Sequence, residues 1–298
     1  MGTALGVPFV VKAHGSELEF AIRGDEGLAA WARESLAGAS EVLAGSEHIR
    51  RVLAEVLGPG THLDRVRIVP PGVDVDALRP EPREQAVAAL VEEARRDPPL
   101  EGERHPDPGN AERLERFLAW DEPTVVYVGK LSREKGVDLL LAALERVDAR
   151  AVVVGFGPER AALEAAAAGR PVLFTGPLEH RHLAHLWALA DVSVTPSVFP
   201  EAFGMVAAEA AACGSPPLVA RHSGLAEIAA GLEEEYPREH RELASFARGE
   251  ADDLAAKLGA LLALPAEERR RLGAAARRAA ERLWSWERIA ALILSARG

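Results

Sequence analysis

From Thr124 to Gly231 the chain alternates short apolar, β-branched runs with amphipathic ones, and this alternation constrains the fold more than any other feature. Thr124-Val125-Val126-Tyr127-Val128 has the unbroken hydrophobicity of a strand buried on both faces, and Val137–Val147 after it has helical spacing. The pattern predicts strands at 124–129, 150–155, 171–175, 192–196 and 217–220, with helices at 137–147, 158–168, 180–190, 204–213 and 224–231. Such an order builds a parallel sheet covered by helices on both faces. Ligands of such sheets bind beyond the carboxyl ends of the strands.

Two strand-to-helix loops carry chemistry at those ends. The first is Gly129-Lys130-Leu131-Ser132-Arg133-Glu134-Lys135-Gly136, where two ammonium groups beside a helix N-terminus can neutralise a diphosphate without a metal. Taken alone, Lys130 and Lys135 also fit ordinary surface lysines. The second is the run from Ser197 to Gly214, with Glu201 at a helix entrance and Glu209 inside the helix. Helical spacing sets Glu209 on one face with Val206 and Cys213, where a carboxylate is costly unless paired. The free N–H groups of Phe203, Gly204 and Met205 can face the same ligand as Glu201. If all eight intervening residues are helical, about 12 Å separates the two glutamates, which suits a sugar nucleotide. A buried helix whose Glu209 pairs with an arginine is the plainer alternative.

These segments, with His14-Gly15-Ser16, Pro70-Pro71-Gly72-Val73-Asp74 and Trp284-Ser285-Trp286-Glu287-Arg288, resemble in order and spacing the retaining glycosyltransferases of family 4. The resemblance implies an α/β GT-B fold of two Rossmann-like domains with parallel sheets. It also implies transfer of a hexose-type sugar from a nucleotide-diphosphate sugar, with retention of anomeric configuration, to an unknown acceptor (sugar, lipid or small molecule). By the match, Glu201 and the amides of Phe203, Gly204, Met205 and Val206 hold the donor sugar and its phosphates, and Glu209 holds the ribose. Gly129, Lys130 and Lys135 hold the diphosphate, with Lys130 standing where the family often has arginine; the exchange keeps the charge and gives up bidentate geometry. His14 lies near the donor sugar and phosphate, so Glu201 and His14 are the expected catalytic pair. No metal and no cofactor are implied.

Residues 1–78 read as part of an N-terminal, acceptor-side Rossmann-like domain, with strands at Val7–Ala13, Glu41–Ala44 and Val66–Val69 and helices at Gly27–Ala37 and Glu47–Leu57. That is about half of such a domain, so the N-terminal domain is expected to be incomplete and roughly 90 residues short. Residues 79–122 are rich in Pro, Glu and Arg and predict an inserted helical pair at the hinge, Glu84–Arg96 and Asn110–Trp120, around an exposed loop. A charged disordered linker is the alternative. The nucleotide-sugar domain is expected at 123–265. Residues 266–298 are expected to form one helix, marked by Pro265 and Gly298, that crosses back to the first domain.

Composition narrows the partners. A net charge of −11 argues against nucleic acid as a general partner, and the single cysteine, Cys213, fits a reducing compartment. No segment has the apolar length of a membrane span, so peripheral association is the only membrane contact expected, and the cytoplasm is the expected location. Gly155-Phe156-Gly157-Pro158-Glu159-Arg160 opens like a dinucleotide fingerprint, but Arg160 replaces the third glycine, which argues against nicotinamide binding. His180, His182 and His185 crowd one helix opening. The apolar face of Leu183, Leu186 and Leu189 leaves them mostly in solvent, which argues against a metal site. Two other functions fit the same residues: a non-catalytic or truncated sugar-nucleotide-binding protein, and a sugar-nucleotide epimerase of the same fold.

Overall fold

The computed structural model of the chain describes residues 6–15, 17–58, 65–98 and 102–295. Met1, Ser16 and Ala296–Gly298, which the sequence expectations touch, lie outside these residues. Two all-parallel sheets are present. The smaller has the order β1-β2-β3, with β1 at Val10–Ala13, β2 at Glu41–Ala44 and β3 at Val66–Ile68. The larger comprises β4 (Thr124–Val128), β5 (Arg150–Val154), β6 (Val172–Phe174), β7 (Val192–Thr195), β8 (Pro217–Ala220) and β9 (Ser245–Phe246), in the order β6-β5-β4-β7-β8-β9. The chain runs outward from β4 to β6 on one side and from β7 to β9 on the other, so the strand order reverses between β4 and β7. A crevice opens at such a reversal. The loops that leave β4 and β7 are the two that carry Lys130, Lys135 and Glu201.

β4, β5, β7 and β8 are almost wholly buried, as their continuous apolar sequences require. β9 escapes the sequence pattern because it has only two residues and adds to the edge next to β8.

Among its described residues the segment 79–122 holds two helices. Helices Arg83–Arg95 and Asn110–Phe117 pack on each other, the first also packs on the helix His180–Ala188, and Leu90, Leu114 and Leu118 join the core of the larger sheet. Arg150, fully buried, donates to the carbonyls of Phe117 and Trp120 and to Thr124 Oγ1, so its charge is met by three oxygens. The loop between the two helices is pinned by Asp107, which forms a two-pronged ion pair with Arg160 at 2.8 and 2.5 Å.

The C-terminal segment is not one helix. It runs as Ala266–Ala279, a π-helical turn Ala280–Trp284, an extended Ser285 and a separate helix Trp286–Leu294. Ser285 leaves the helical region at ψ 148° and its Oγ caps the new helix by accepting from Arg288 N–H, which ends one helix and starts the next. The break lets Ser285 lie beside the hinge. Val73 N–H donates to Trp284 O (2.7 Å) and Trp286 N–H to Val73 O (3.2 Å). Beyond it, Ile289 is buried in one cluster with Leu43 and Val69 of the smaller sheet unit.

Candidate functional site

Carboxyl ends of both sheets face one cleft of about 420 Å³. His14, Gly15, Glu19, Phe20, His48 and Ile49 line it from the smaller sheet, and Lys130, Ser132, Lys135, Phe199 and Glu201 are among those that line it from the larger. Four of the residues singled out from sequence therefore meet here: His14, Lys130, Lys135 and Glu201.

The β4 loop is held by its neighbours. Gly129 N–H donates to Val154 O and Leu131 N–H to Phe156 O (3.0 and 2.8 Å), so the loop lies flat against the residues that follow β5. Glycines 155 and 157 make that approach possible. A Cβ on Gly155 would stand 1.8 Å from Gly129 O, and one on Gly157 would stand 2.3 Å from Leu131 O. The dinucleotide-like Gly-x-Gly thus serves close packing beneath Lys130. From below, buried Tyr127 donates its hydroxyl to Lys130 O at 2.9 Å, and burial raises its pKa well above the phenol range, which keeps the donor proton in place. Gly136 then turns the chain into the helix Val137–Leu144 at φ 64°, where a Cβ would meet Pro196 O at 2.2 Å.

Glu201 is fixed through both backbone and side chain. Its N–H donates to Ser223 Oγ (2.9 Å) and its carbonyl accepts from Gly224 N–H (2.9 Å). Lys135 Nζ and Ser197 Oγ both donate to Oε1 of its carboxylate, while Oε2 has no hydrogen-bond partner among the described residues. Ser223 Oγ also meets His222 Nδ1 (3.1 Å), and His222 Nε2 meets Ser197 O (2.6 Å). With the serine hydroxyl donating to Nδ1 and Nε2–H donating to the carbonyl, the bonds form a ring that begins and ends on Glu201. Burial holds the His222 imidazole below its usual pKa, which favours the neutral ring this arrangement needs. Ser223 is the only non-glycine among the described residues with positive φ, at 48°.

Sequence reasoning quoted Ser197 without a role and did not single out Tyr127, His222 or Ser223. No local signal marks His222 or Ser223, since their partners are about 25 residues away.

Glu209 lies elsewhere. The helix begins only at Met205, so the eight residues from Glu201 are not all helical and the straight 12 Å rise does not apply. Glu209 lines a second cleft of about 690 Å³ with Met205, His180, the hinge residues 72–79 and Trp286. The turn 203–204 separates the two clefts along the chain. Ala207, Ala208 and Ala210–Cys213 are buried, so Glu209 shares the helix's least buried face with Met205 and Val206 rather than lying in an apolar stripe. No arginine pairs with it among the described residues; its ionisable neighbour is His180, with Nε2 at 3.8 Å. Its side chain is 12% exposed, and burial raises its pKa against the weaker pull of His180. No side chain caps this helix, which leaves the amides of Met205 and Val206 open to a ligand, with Gly204 at its entrance in the left-handed region. Phe203 points inward, its buried ring edge-on to Trp284 at 6.1 Å.

The histidine trio is not all in solvent. His182 is fully buried, with Nε2 3.1 Å from Asp97, and His185 meets Glu81 at 2.7 Å; only His180 is exposed. Among the described residues no group of three or more His, Cys, Asp or Glu is placed to hold a metal. No described helix is long and apolar enough to cross a membrane. Cys213 is buried with its thiol pushed up to about 12 by desolvation, which makes it an inert core residue.

Residues 111–279 match the family described as glycosyl transferases group 1. Among curated relatives, the chain is 38% identical over 188 residues to the GDP-mannose-dependent alpha-(1-6)-phosphatidylinositol dimannoside mannosyltransferase of Mycobacterium tuberculosis, covering 60% of this chain and 45% of that one. It is 34% identical over 246 residues to the D-inositol 3-phosphate glycosyltransferase of Xylanimonas cellulosilytica, covering 79% and 51%. The chain thus spans about half the length of the curated relatives it matches. In fold it is similar to Anabaena HepE in complex with UDP-glucose (TM-score 0.73, 19% identity, 99% of this chain and 73% of that one). It is also similar to sucrose-phosphate synthase of Thermosynechococcus elongatus (TM-score 0.71, 23% identity, 99% and 69%).

Proposed function

The chain belongs to the glycosyl transferases group 1, and from that membership and the cleft we infer that it moves a hexose-type sugar from a nucleotide-diphosphate sugar to an acceptor with retention of anomeric configuration. The observation that carries this reading is the convergence of Lys130, Lys135, Glu201 and His14 on one cleft at the strand-order reversal. Cleaving a sugar–diphosphate bond builds positive charge on the ring and negative charge on the leaving oxygen, so fixed opposite charges lower the barrier. Lys130, Lys135 and the amides of Met205 and Val206 neutralise the diphosphate in place of a metal. Glu209 receives the ribose hydroxyls in the adjoining cleft.

Without ligand, Lys135 is spent on Glu201. An arriving diphosphate competes for that ammonium and frees the Glu201 carboxylate to orient the sugar hydroxyls, while the ring through Ser197, His222 and Ser223 keeps its backbone in place. His14 assists from the facing sheet. Retention corresponds to attack by the acceptor oxygen on the same face the diphosphate leaves.

The test is release of nucleoside diphosphate from a panel of UDP- and GDP-sugars, with Glu201→Gln and Lys135→Ala as variants. Glu201→Gln is expected to cut turnover about 100-fold or more with nucleotide affinity within a few-fold, since removing one electrostatic group of an active site costs about that much. Nucleotide binding without release favours a non-catalytic holder, and an inverted sugar carbon without release favours an epimerase. A chain that binds no nucleoside diphosphate refutes the reading altogether.

A further inference from the structure

If the donor occupies the Lys130, Lys135 and Glu201 side of the cleft, the side formed by the smaller sheet faces the acceptor. We propose that this side binds a neutral polyhydroxylated acceptor, through Glu19, His48 and the stacked Phe20–Phe199 pair. The proposal rests on the donor reading given above and names the substrate class for the other half of the same cleft.

Glu19 and Phe20 belong to a π-helical turn, Glu17–Ile22, a rare geometry that places both at the cleft. Arg23 fixes one carboxylate oxygen of Glu19 (Nε to Oε2, 2.9 Å) and reaches Glu55 at 3.4 Å, so its charge is shared between two carboxylates. Oε1 of Glu19 has no hydrogen-bond partner among the described residues, and the side chain is 16% exposed. A nearly buried carboxylate with one open oxygen accepts from hydroxyls.

His48 stands in the first turn of the helix Glu47–Leu57, at the end of β2. Its N–H and that of Glu47 both donate to the carboxylate of Glu227 from the larger sheet unit (3.1 and 3.0 Å), which locks its backbone across the cleft. Burial, and then Arg51 beside it, hold the ring below the usual imidazole pKa. A neutral imidazole with no side-chain hydrogen bond among the described residues offers a hydroxyl one donor and one acceptor.

Phe20 and Phe199 come from opposite sheets and stack at 5.2 Å with 16° between their planes. Their faces give the C–H side of a polyol an apolar surface while Glu19 and His48 take its hydroxyls. Among the described residues no lysine or arginine lines the cleft from the smaller sheet. A phosphate on the acceptor would meet the open oxygen of Glu19, and the neighbouring Arg23 guanidinium is already shared between Glu19 and Glu55, so like charges brought together in a partly dry site disfavour binding.

The chain, saturated with UDP or GDP, is titrated calorimetrically with glucose, myo-inositol and glycerol, each beside its monophosphate ester. At least one neutral polyol is expected to bind, about tenfold or more tighter than its ester. Glu19→Gln is expected to shrink that preference to below about threefold with nucleotide affinity unchanged, and His48→Ala to weaken the neutral polyol about tenfold. A melting transition matched to that of the unaltered chain reports that each variant is folded. Esters that bind as tightly as the polyols, a panel in which nothing binds, or a preference that survives Glu19→Gln would each overturn the proposal. Failure of both nucleotides to bind the unaltered chain removes the donor reading first and this one with it.

Discussion

Ser223 holds Glu201 at a conformational cost, and the two effects separate by substitution. At φ 48° a residue with a Cβ pays about 1–2 kcal/mol for the left-handed region. Its hydroxyl offsets part of this by accepting from Glu201 N–H at 2.9 Å and reaching His222 Nδ1 at 3.1 Å, bonds worth about 0.5–1.5 kcal/mol each. Ser223→Ala keeps the strained backbone and loses both bonds, so we expect destabilisation of about 1–2 kcal/mol. Ser223→Gly loses the same bonds and sheds the strain, so it is expected near wild-type stability. The difference of about 1 kcal/mol between the variants corresponds to about 2–4 °C in calorimetric melting for chains of this size class. Both variants release the Glu201 backbone, and loss of about 1 kcal/mol of positioning lowers sugar turnover by about fivefold. Equal melting temperatures for Ala and Gly would show that the backbone at 223 is unstrained. Wild-type turnover in both would show that the serine does not position Glu201.

Other expectations follow from the same geometry. Glu209→Gln removes a carboxylate whose pKa is raised by burial; the native state holds its proton more tightly than the unfolded chain, so the wild type loses stability as pH rises through and above the ordinary carboxylate range. The variant is therefore more stable at neutral pH, equal to wild type in acid, and weaker in nucleotide binding by about 1.5–3 kcal/mol of charge-assisted hydrogen bonds, checked by melting against pH and by calorimetry. His222 has the opposite sign: its lowered pKa supplies stability above the ordinary imidazole value that is lost as pH falls, so His222→Gln is expected to flatten the acid limb of the stability profile, read by denaturant titration. Glu227→Ala uncovers the N–H groups of Glu47 and His48 and is expected to cost about 0.5–2 kcal/mol, with faster amide exchange at those two positions. Sugar transfer is expected to survive a chelator, and a strict need for magnesium or manganese would remove the role given to Lys130 and Lys135.

What the sequence made legible was whatever it encodes locally. The strands of the larger sheet stand out because burial on both faces demands unbroken β-branched runs, and the β4 loop stands out because Gly129 and Gly136 bracket two lysines. Ser285 shows the limit: helical periodicity runs on either side of it, and only its cap and its pairing with Val73, more than 200 residues away, break the helix. His182 looked exposed because its helix has one clear apolar face, yet the segment 79–122 supplies a second packing surface and buries it. The ring through Ser197, His222 and Ser223 was invisible for the same reason. Its members belong to two loops that become neighbours only when β7 and β8 pair.

The contacts that hold the two sheets together differ in character. On one side Val73 pairs with Ser285, and the Arg277 guanidinium donates to the carbonyls of Val75, Leu78 and Ala212, which ties residues 73–78 to the helix Met205–Ala212. Across the cleft, contact rests on Glu227 at the Glu47–Leu57 helix, on Ser46 Oγ donating to Ala202 O at 2.6 Å, and on the Phe20–Phe199 stack. These contacts are few, and water or substrate can replace the polar ones, whereas one guanidinium binds three carbonyls on the Val73 side. Parting of the two sheets is therefore expected to begin on the Glu227 side, read as faster amide exchange at Glu47 and His48 than at Val73 and Trp286.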